Sequence, residues 1–142
     1  MKIHILSGEV AEAFIPGRET YCICIGNSCM NETAVNHLND LKLCTANVYR
    51  FDDTRPNDSC RLEGDIIFND IMARGIWSDF LDNYRVGDDL LVHCSAGLGR
   101  SPAIGLAINK HLRLDWDSQR GILQNAPGFN RWVYKTMLEV AP

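Results

Sequence analysis

No run of this chain approaches the roughly 18 to 20 consecutive apolar residues of a membrane-crossing helix. The opening "MKIHILSGEV" also has too short an apolar core for a secretion signal. Positive charge is scarce: 14 Lys and Arg face 18 Asp and Glu, for a net charge of −4. With no basic cluster, the sequence offers no general attraction to nucleic acid or to an anionic membrane. An anionic ligand would have to be captured by a local device. Paired C-x-x-C spacings are absent as well. Although there are six cysteines (Cys22, Cys24, Cys29, Cys44, Cys60 and Cys94), the alternation of Cys22 and Cys24 with Cys29 nearby lacks a fourth metal ligand. The expectation is therefore of free thiols in a reducing, cytoplasmic setting, with no metal and no cofactor.

No linker, repeat or low-complexity stretch divides the 142 residues, and their 46% hydrophobic content suffices for one substantial core. We expect a single domain over 1–142, and a monomer. Short apolar runs alternate with amphipathic ones, which predicts an α/β fold with a central, mostly parallel sheet of four or five strands flanked by helices. The strand candidates are Lys2–Leu6, Tyr21–Ile25, Ala46–Phe51 and Leu90–His93. The last is apolar on both faces, as a central strand should be. Ser7 reads as the cap of a short helix in "GEVAEAF". "NETAVNHLNDL" reads as a helix, and so does "DIIFNDIMARGIWSDFLDNY", with Ile67, Ile71, Phe80 and Tyr84 on one face and Gly75 as a break or bend. "SPAIGLAINKHL", "DSQRGILQN" and "FNRWVYKTMLEV" complete the set. The polar stretch Asp52–Gly64 reads as a loop leaving the third strand, a usual place for chemistry.

The informative stretch is "LLVHCSAGLGRSPAIGLAI", Leu90 to Ile108. Cys94 follows a buried strand and Arg100 precedes a helix, so Ser95, Ala96, Gly97, Leu98 and Gly99 must wrap a tight loop, which the glycines permit. Ser101-Pro102 looks like a helix start, with a capping hydroxyl and a proline in the first helical position. Such a loop turns backbone N–H groups toward a tetrahedral oxyanion at a helix N-terminus, and Arg100 adds a planar fork for two phosphate oxygens. A positive environment of this kind favours a cysteine in its thiolate form. A thiolate at the floor of a phosphate cradle is placed for in-line attack on phosphorus, and the Ser101 hydroxyl for stabilising the sulfur when it leaves. The loop lacks the lysine of a nucleotide-binding G-x-x-x-x-G-K-[ST] motif.

"HCSAGLGRS" resembles the H-C-x-x-G-x-x-R-S/T signature of the cysteine-dependent protein tyrosine phosphatase superfamily, matching it at His93, Cys94, Gly97, Arg100 and Ser101. The short chain looks most like the compact dual-specificity enzymes and their small bacterial or phage relatives, with weaker similarity in "EVAEAF…YCICIG", "RFDD" and "NAPGFNRWVY". The resemblance implies a phosphomonoesterase acting on a phosphorylated protein or peptide: on phosphotyrosine, with phosphoserine and phosphothreonine left open. It also implies an aspartic general acid on a loop after an earlier strand. Asp53 fits the compact enzymes and is preferred. Asp52, four residues before Pro56, imitates the spacing of the larger ones, and Asp65 is an outside candidate better explained as a helix cap.

Blander roles compete. His93 alternates away from the pocket, so it reads as structural; Trp77, Trp116 and Trp132 read as packing residues; Asn125 and Asn130 as loop hydrogen-bonders or pocket rim. The uncharged interior "SAGLG" argues against polyanionic phosphoinositides or RNA ends. Two rival classes remain. One is a module that holds phosphopeptides without turnover. The other is a thiol-based redox or sulfur-transfer protein in which Cys94 pairs with another cysteine.

Overall fold

A computed structural model describes residues 2–27, 32–58 and 62–142. Four strands form one wholly parallel sheet in the order β1-β4-β2-β3: β1 is Ile3–Ser7, β2 Thr20–Gly26, β3 Cys44–Arg50 and β4 Asp89–Cys94. Between and after them run α1 (Gly8–Ala11), α2 (Glu32–Asp40), α3 (Asp70–Asn83), α4 (Arg100–Leu112), α5 (Trp116–Asn125) and α6 (Arg131–Glu139). The α/β expectation holds, at four strands. The two central strands, β4 and β2, are buried along their whole length, as parallel strands covered on both faces must be.

Alternation along β4 divides the core. Leu90, Val92 and Cys94 face the larger apolar cluster, which takes in Ala73, Ile76, Trp77 and Phe80 of α3, Ala103, Ile104 and Ala107 of α4, and Val133 and Met137 of α6. Leu91 faces the smaller cluster on the other side with Cys22, Cys24 and Leu38 of α2. The side chain of His93, two residues on from Leu91, belongs to that second face.

Several local readings change. Ser7 caps α1 by accepting from the Val10 amide, as the sequence suggests. In contrast, α3 begins at Asp70 with extended Asn69 as its cap, because residues 65–69 are not helical and Asp52 pairs with Ile66 through both backbone and side chain. Asp65 is therefore no helix cap; its carboxylate accepts the Leu62 amide at 2.9 Å. Ile67 precedes the helix and Ile71 is 76% exposed, so the buried face is Ala73, Ile76, Trp77 and Phe80. Gly75 sits inside an unbroken helix. The expected proline start of α4 also shifts: the helix begins at Arg100, which puts Pro102 two residues further in, still within the first turn where its missing N–H costs nothing.

Trp77 is core and donates to the Met137 carbonyl; Trp132 is half-buried and donates to Phe68; Trp116 is 73% exposed, against expectation. Asn109, buried at the end of α4, donates to the Asp115 carbonyl and accepts the Asp115 amide, which fixes the turn into α5.

Cys22, Cys24, Cys44 and Cys94 are free thiols, while Cys29 and Cys60 lie outside the described residues. Hydrogen bonding to Cys44 and then burial push the Cys22 thiol well up. Burial, with Cys44 adding to it, pushes Cys24 up to about 12. Both are packing thiols at neutral pH.

Neither ring nitrogen of His93 makes a hydrogen bond of good geometry. Burial pushes its pKa down, and the nearby Cys94 backbone offsets only part of that. The folded value lies below the unfolded value of about 6.5, so the unfolded chain takes up the proton first. Stability is full above that pH and is lost as pH falls from about 6.5 toward the folded value. Thermal melts from pH 8 to 5 are expected to show this loss in the parent and a flatter curve in His93→Leu. Identical slopes would remove the histidine from the account.

Candidate active site

All four strands end their carboxyl termini on one edge of the sheet, and the signature loop leaves the central one. Gly97 is the residue that the loop cannot replace. Its φ is +74°, and a Cβ there would fall 2.8 Å from the Ser7 amide nitrogen and 2.9 Å from the Leu6 carbonyl carbon, both backbone atoms. The loop thus lies directly against the end of β1, and the Gly8 amide pins it there by donating to the Ser95 carbonyl at 3.1 Å.

Cys94 is 2% exposed, at the floor of the loop. Its sulfur receives the Gly97 amide at 3.3 Å and lies 3.1 Å from the hydroxyl of fully buried Ser101. Ser101 consequently does not cap α4. The capping position is Gly99, without a side-chain cap, and the Ser101 hydroxyl is committed to the sulfur instead.

Arg100 is the first residue of α4 and is 5% exposed. Its Nη1 donates to the Phe51 carbonyl at 2.8 Å and its Nη2 to Ser95 Oγ at 3.3 Å, whereas the buried Nε has no partner among the described residues. Among the described residues no carboxylate forms an ion pair with it. The Phe51 carbonyl is a part of this site that the sequence does not announce, because a backbone acceptor carries no residue signature.

The three candidate acids separate clearly. Asp53 is exposed and stands over the loop: a Cβ on Gly99 would come within 2.8 Å of its carboxyl carbon. Asn130 Nδ2 donates to Asp53 Oδ1 at 2.8 Å, and the Asn130 amide donates to the Gly99 carbonyl at 3.1 Å. One residue thus fastens both the carboxylate and the end of the loop, while its own Oδ1 caps α6 at Val133. Asp52 is occupied elsewhere, its Oδ2 accepting the Ile66 amide at 2.6 Å. Asp65 is tied to Leu62 and reaches no part of the loop that the hydrogen bonds record. Asn125 is exposed and lines a groove beside β1, apart from Asp53. Ala96 and Leu98 also border that groove, with Leu98 58% exposed.

The arrangement brings a thiol, a hydroxyl, a buried guanidinium and a carboxylate around one tight turn, which suits it to capturing and reacting with a tetrahedral oxyanion. Gly97→Ala tests the turn. It forces a side chain into the left-handed region and against backbone that cannot yield, so a stability loss exceeding about 1 kcal/mol is expected, together with loss of vanadate binding in calorimetry. Wild-type vanadate affinity in a folded Gly97→Ala protein would show that the loop does not depend on that conformation.

No protein-family model matches the chain, and no curated protein does. Solved structures do. The active form of the archaeal tyrosine phosphatase Tk-PTP superposes with a TM-score of 0.55 at 13% identity, over 99% of this chain and 91% of that one. A glycine-to-alanine variant of Tk-PTP gives 0.50 at 16% identity, over 98% and 89%. The human tyrosine phosphatase-like serine/threonine/tyrosine-interacting protein gives 0.45 at 21% identity, over 84% and 74%. The arrangement of sheet and helices in this chain is thus the fold of the tyrosine phosphatase Tk-PTP.

Proposed function

We propose that the protein is a phosphomonoesterase that hydrolyses phosphotyrosine through a cysteinyl-phosphate intermediate. The observation that carries this reading is the buried Arg100 guanidinium, bonded to the hydroxyl of Ser95 next to Cys94, with its Nε unpartnered and, among the described residues, no carboxylate paired to it. A buried cation without a counter-ion is costly. An oxyanion bound over Cys94 relieves that cost, and it does so most fully when phosphoryl charge is spread over the equatorial oxygens of the transition state.

In this reading the Cys94 sulfur attacks phosphorus in line. The sulfur–phosphorus bond forms as the bond to the leaving oxygen breaks, and Asp53, held by Asn130, gives that oxygen its proton. Water then attacks the cysteinyl phosphate with Asp53 as base, and the sulfur departs accepting a hydrogen bond from Ser101. The backbone of Ser95, Ala96, Gly97, Leu98 and Gly99 lines the phosphate with Arg100. Sulfur and guanidinium supply nucleophile and charge themselves, so the scheme requires no metal. Support for a phosphoprotein substrate comes from the signature and from the fold shared with Tk-PTP. Pocket depth sets its reach, because a phenyl phosphate extends to a deep sulfur where a serine phosphate does not.

Hydrolysis of p-nitrophenyl phosphate in excess EDTA, from pH 4 to 9, is the test. A bell-shaped rate abolished by Cys94→Ser is expected, with Asp53→Asn lowering kcat by roughly 10²- to 10⁴-fold while vanadate still binds. An unchanged rate in Asp53→Asn would move the proton to another group. Absence of turnover in a parent protein that still binds vanadate would favour a module that only holds phosphopeptides.

A further inference from the structure

Asn130 is 4% exposed at the start of α6, and both polar atoms of its side chain are committed. Its Oδ1 accepts the Val133 amide at 3.1 Å, whereas its Nδ2 faces two acceptors, Asp53 Oδ1 at 2.8 Å and the Thr54 carbonyl at 3.5 Å. These partners fix which end of the amide is which. Turned over, it would set oxygen against two acceptors and nitrogen against an N–H donor.

The two oxygens of Asp53 are thereby made unequal. Oδ1 receives the Asn130 amide, so in the protonated carboxyl it is held as the acceptor and the proton falls to Oδ2. A Cβ on Gly99 would meet Oδ2 first, ahead of the carboxyl carbon at 2.8 Å and Oδ1 at 2.9 Å. Oδ2 is therefore the oxygen turned to the signature loop. The φ of Gly99 is −117°, which any residue adopts, so glycine supplies room there and not an unusual backbone. The Asn130 backbone amide completes the arrangement by donating to the Gly99 carbonyl at 3.1 Å. Among the described residues, no other group bonds the exposed Asp53 carboxylate.

Resting on the phosphatase reading above, we infer that Asn130 is the positioning residue of the proton-transfer step, and that it assigns the proton to Asp53 Oδ2. In the first half-reaction the Oδ2–H bond breaks as the leaving oxygen takes that proton and separates from phosphorus. In the second, Oδ2 takes a proton from the water whose oxygen bonds to phosphorus as the bond to sulfur breaks. Asn130 touches neither phosphorus nor the leaving group. It acts by keeping the Asp53 carboxyl from turning about its side-chain torsions, an alignment whose loss by about 1 Å costs up to roughly 10²-fold in rate.

Aryl phosphates of graded leaving-group acidity, from phenyl to dinitrophenyl, test this through kcat/KM. A basic phenolate needs the proton and an acidic one does not, so removing the acid steepens the dependence of rate on leaving-group pKa. Asp53→Asn shows the full effect. Asn130→Ser and Asn130→Asp each keep an oxygen able to cap α6 and lose the donor. Both are expected to lower kcat/KM for phenyl phosphate by roughly 10- to 10²-fold, with a smaller loss at each more acidic leaving group, while vanadate binds as in the parent. In an Asp53→Asn background neither is expected to steepen the dependence further. No loss, a uniform loss across the series, or further steepening without Asp53 overturns the inference. So does a dependence that Asp53→Asn leaves unchanged. A parent that turns over none of these esters removes the phosphatase reading itself and the proton-transfer role with it, whereas turnover with parallel lines removes the role alone.

Discussion

A buried guanidinium, with no carboxylate paired to it among the described residues, is the constraint around which this molecule is arranged. Arg100 begins a helix whose first ten residues are all buried, so its charge cannot escape to solvent. It is held instead by a backbone carbonyl at Phe51 and a hydroxyl at Ser95. Both partners are neutral, and neither cancels the charge. The Phe51 carbonyl is available because β3 ends at Arg50 and the Phe51 ring is locked against Phe68, 4.5 Å between centroids. A core contact therefore sets the position of the acceptor that orients the cation.

The same economy joins the parts of the site to one another. Asn130 lies 77 residues from Asp53, yet it fastens that carboxylate, the Gly99 carbonyl and the first turn of α6 together. Rigid sites hold reacting groups to within fractions of an ångström through such supporting bonds. Gly97 makes the complementary contact on the opposite side, where only hydrogen fits between the loop and the β1 backbone. The loop is thus clamped between the first strand and the last helix of the chain, elements that close only when the whole sheet has formed.

The thiols illustrate how environment, and not residue type, distributes chemistry. Cys22 and Cys24 sit on the face of the sheet away from the loop, where burial holds them protonated. Cys94 occupies the other face, at the strand's end, between a backbone amide and a hydroxyl. In the sequence these three cysteines look alike; alternation on adjacent strands and the position of Cys94 at a strand terminus set it apart from Cys22 and Cys24.

The pattern of apolar runs sufficed for the α/β class and for the four strands, because parallel strands buried on both faces are nearly continuous in hydrophobicity. The signature loop was equally legible: its spacing is local, and Cys94, Gly97, Arg100 and Ser101 need only the strand before them and the helix after them. Helix boundaries were less so. The apolar pattern of 65–84 ran past the true start of α3 because Asp52 and Ile66 pair across the chain, and Ser101 read as a cap because its hydroxyl's partner, a sulfur seven residues back, depends on how the loop folds. Among Asp52, Asp53 and Asp65 the sequence offered a preference for Asp53 only by resemblance, with no local signal that separates the three. The three differ only in what the fold places against them: an Ile66 amide, Asn130 and Gly99, or a Leu62 amide. What the sequence by itself determined was the class of fold and the local spacing that brings Cys94, Gly97, Arg100 and Ser101 around one turn, since short-range spacing encodes them. Which carboxylate faces that turn only the tertiary structure decided, because it depends on contacts between segments far apart in the chain.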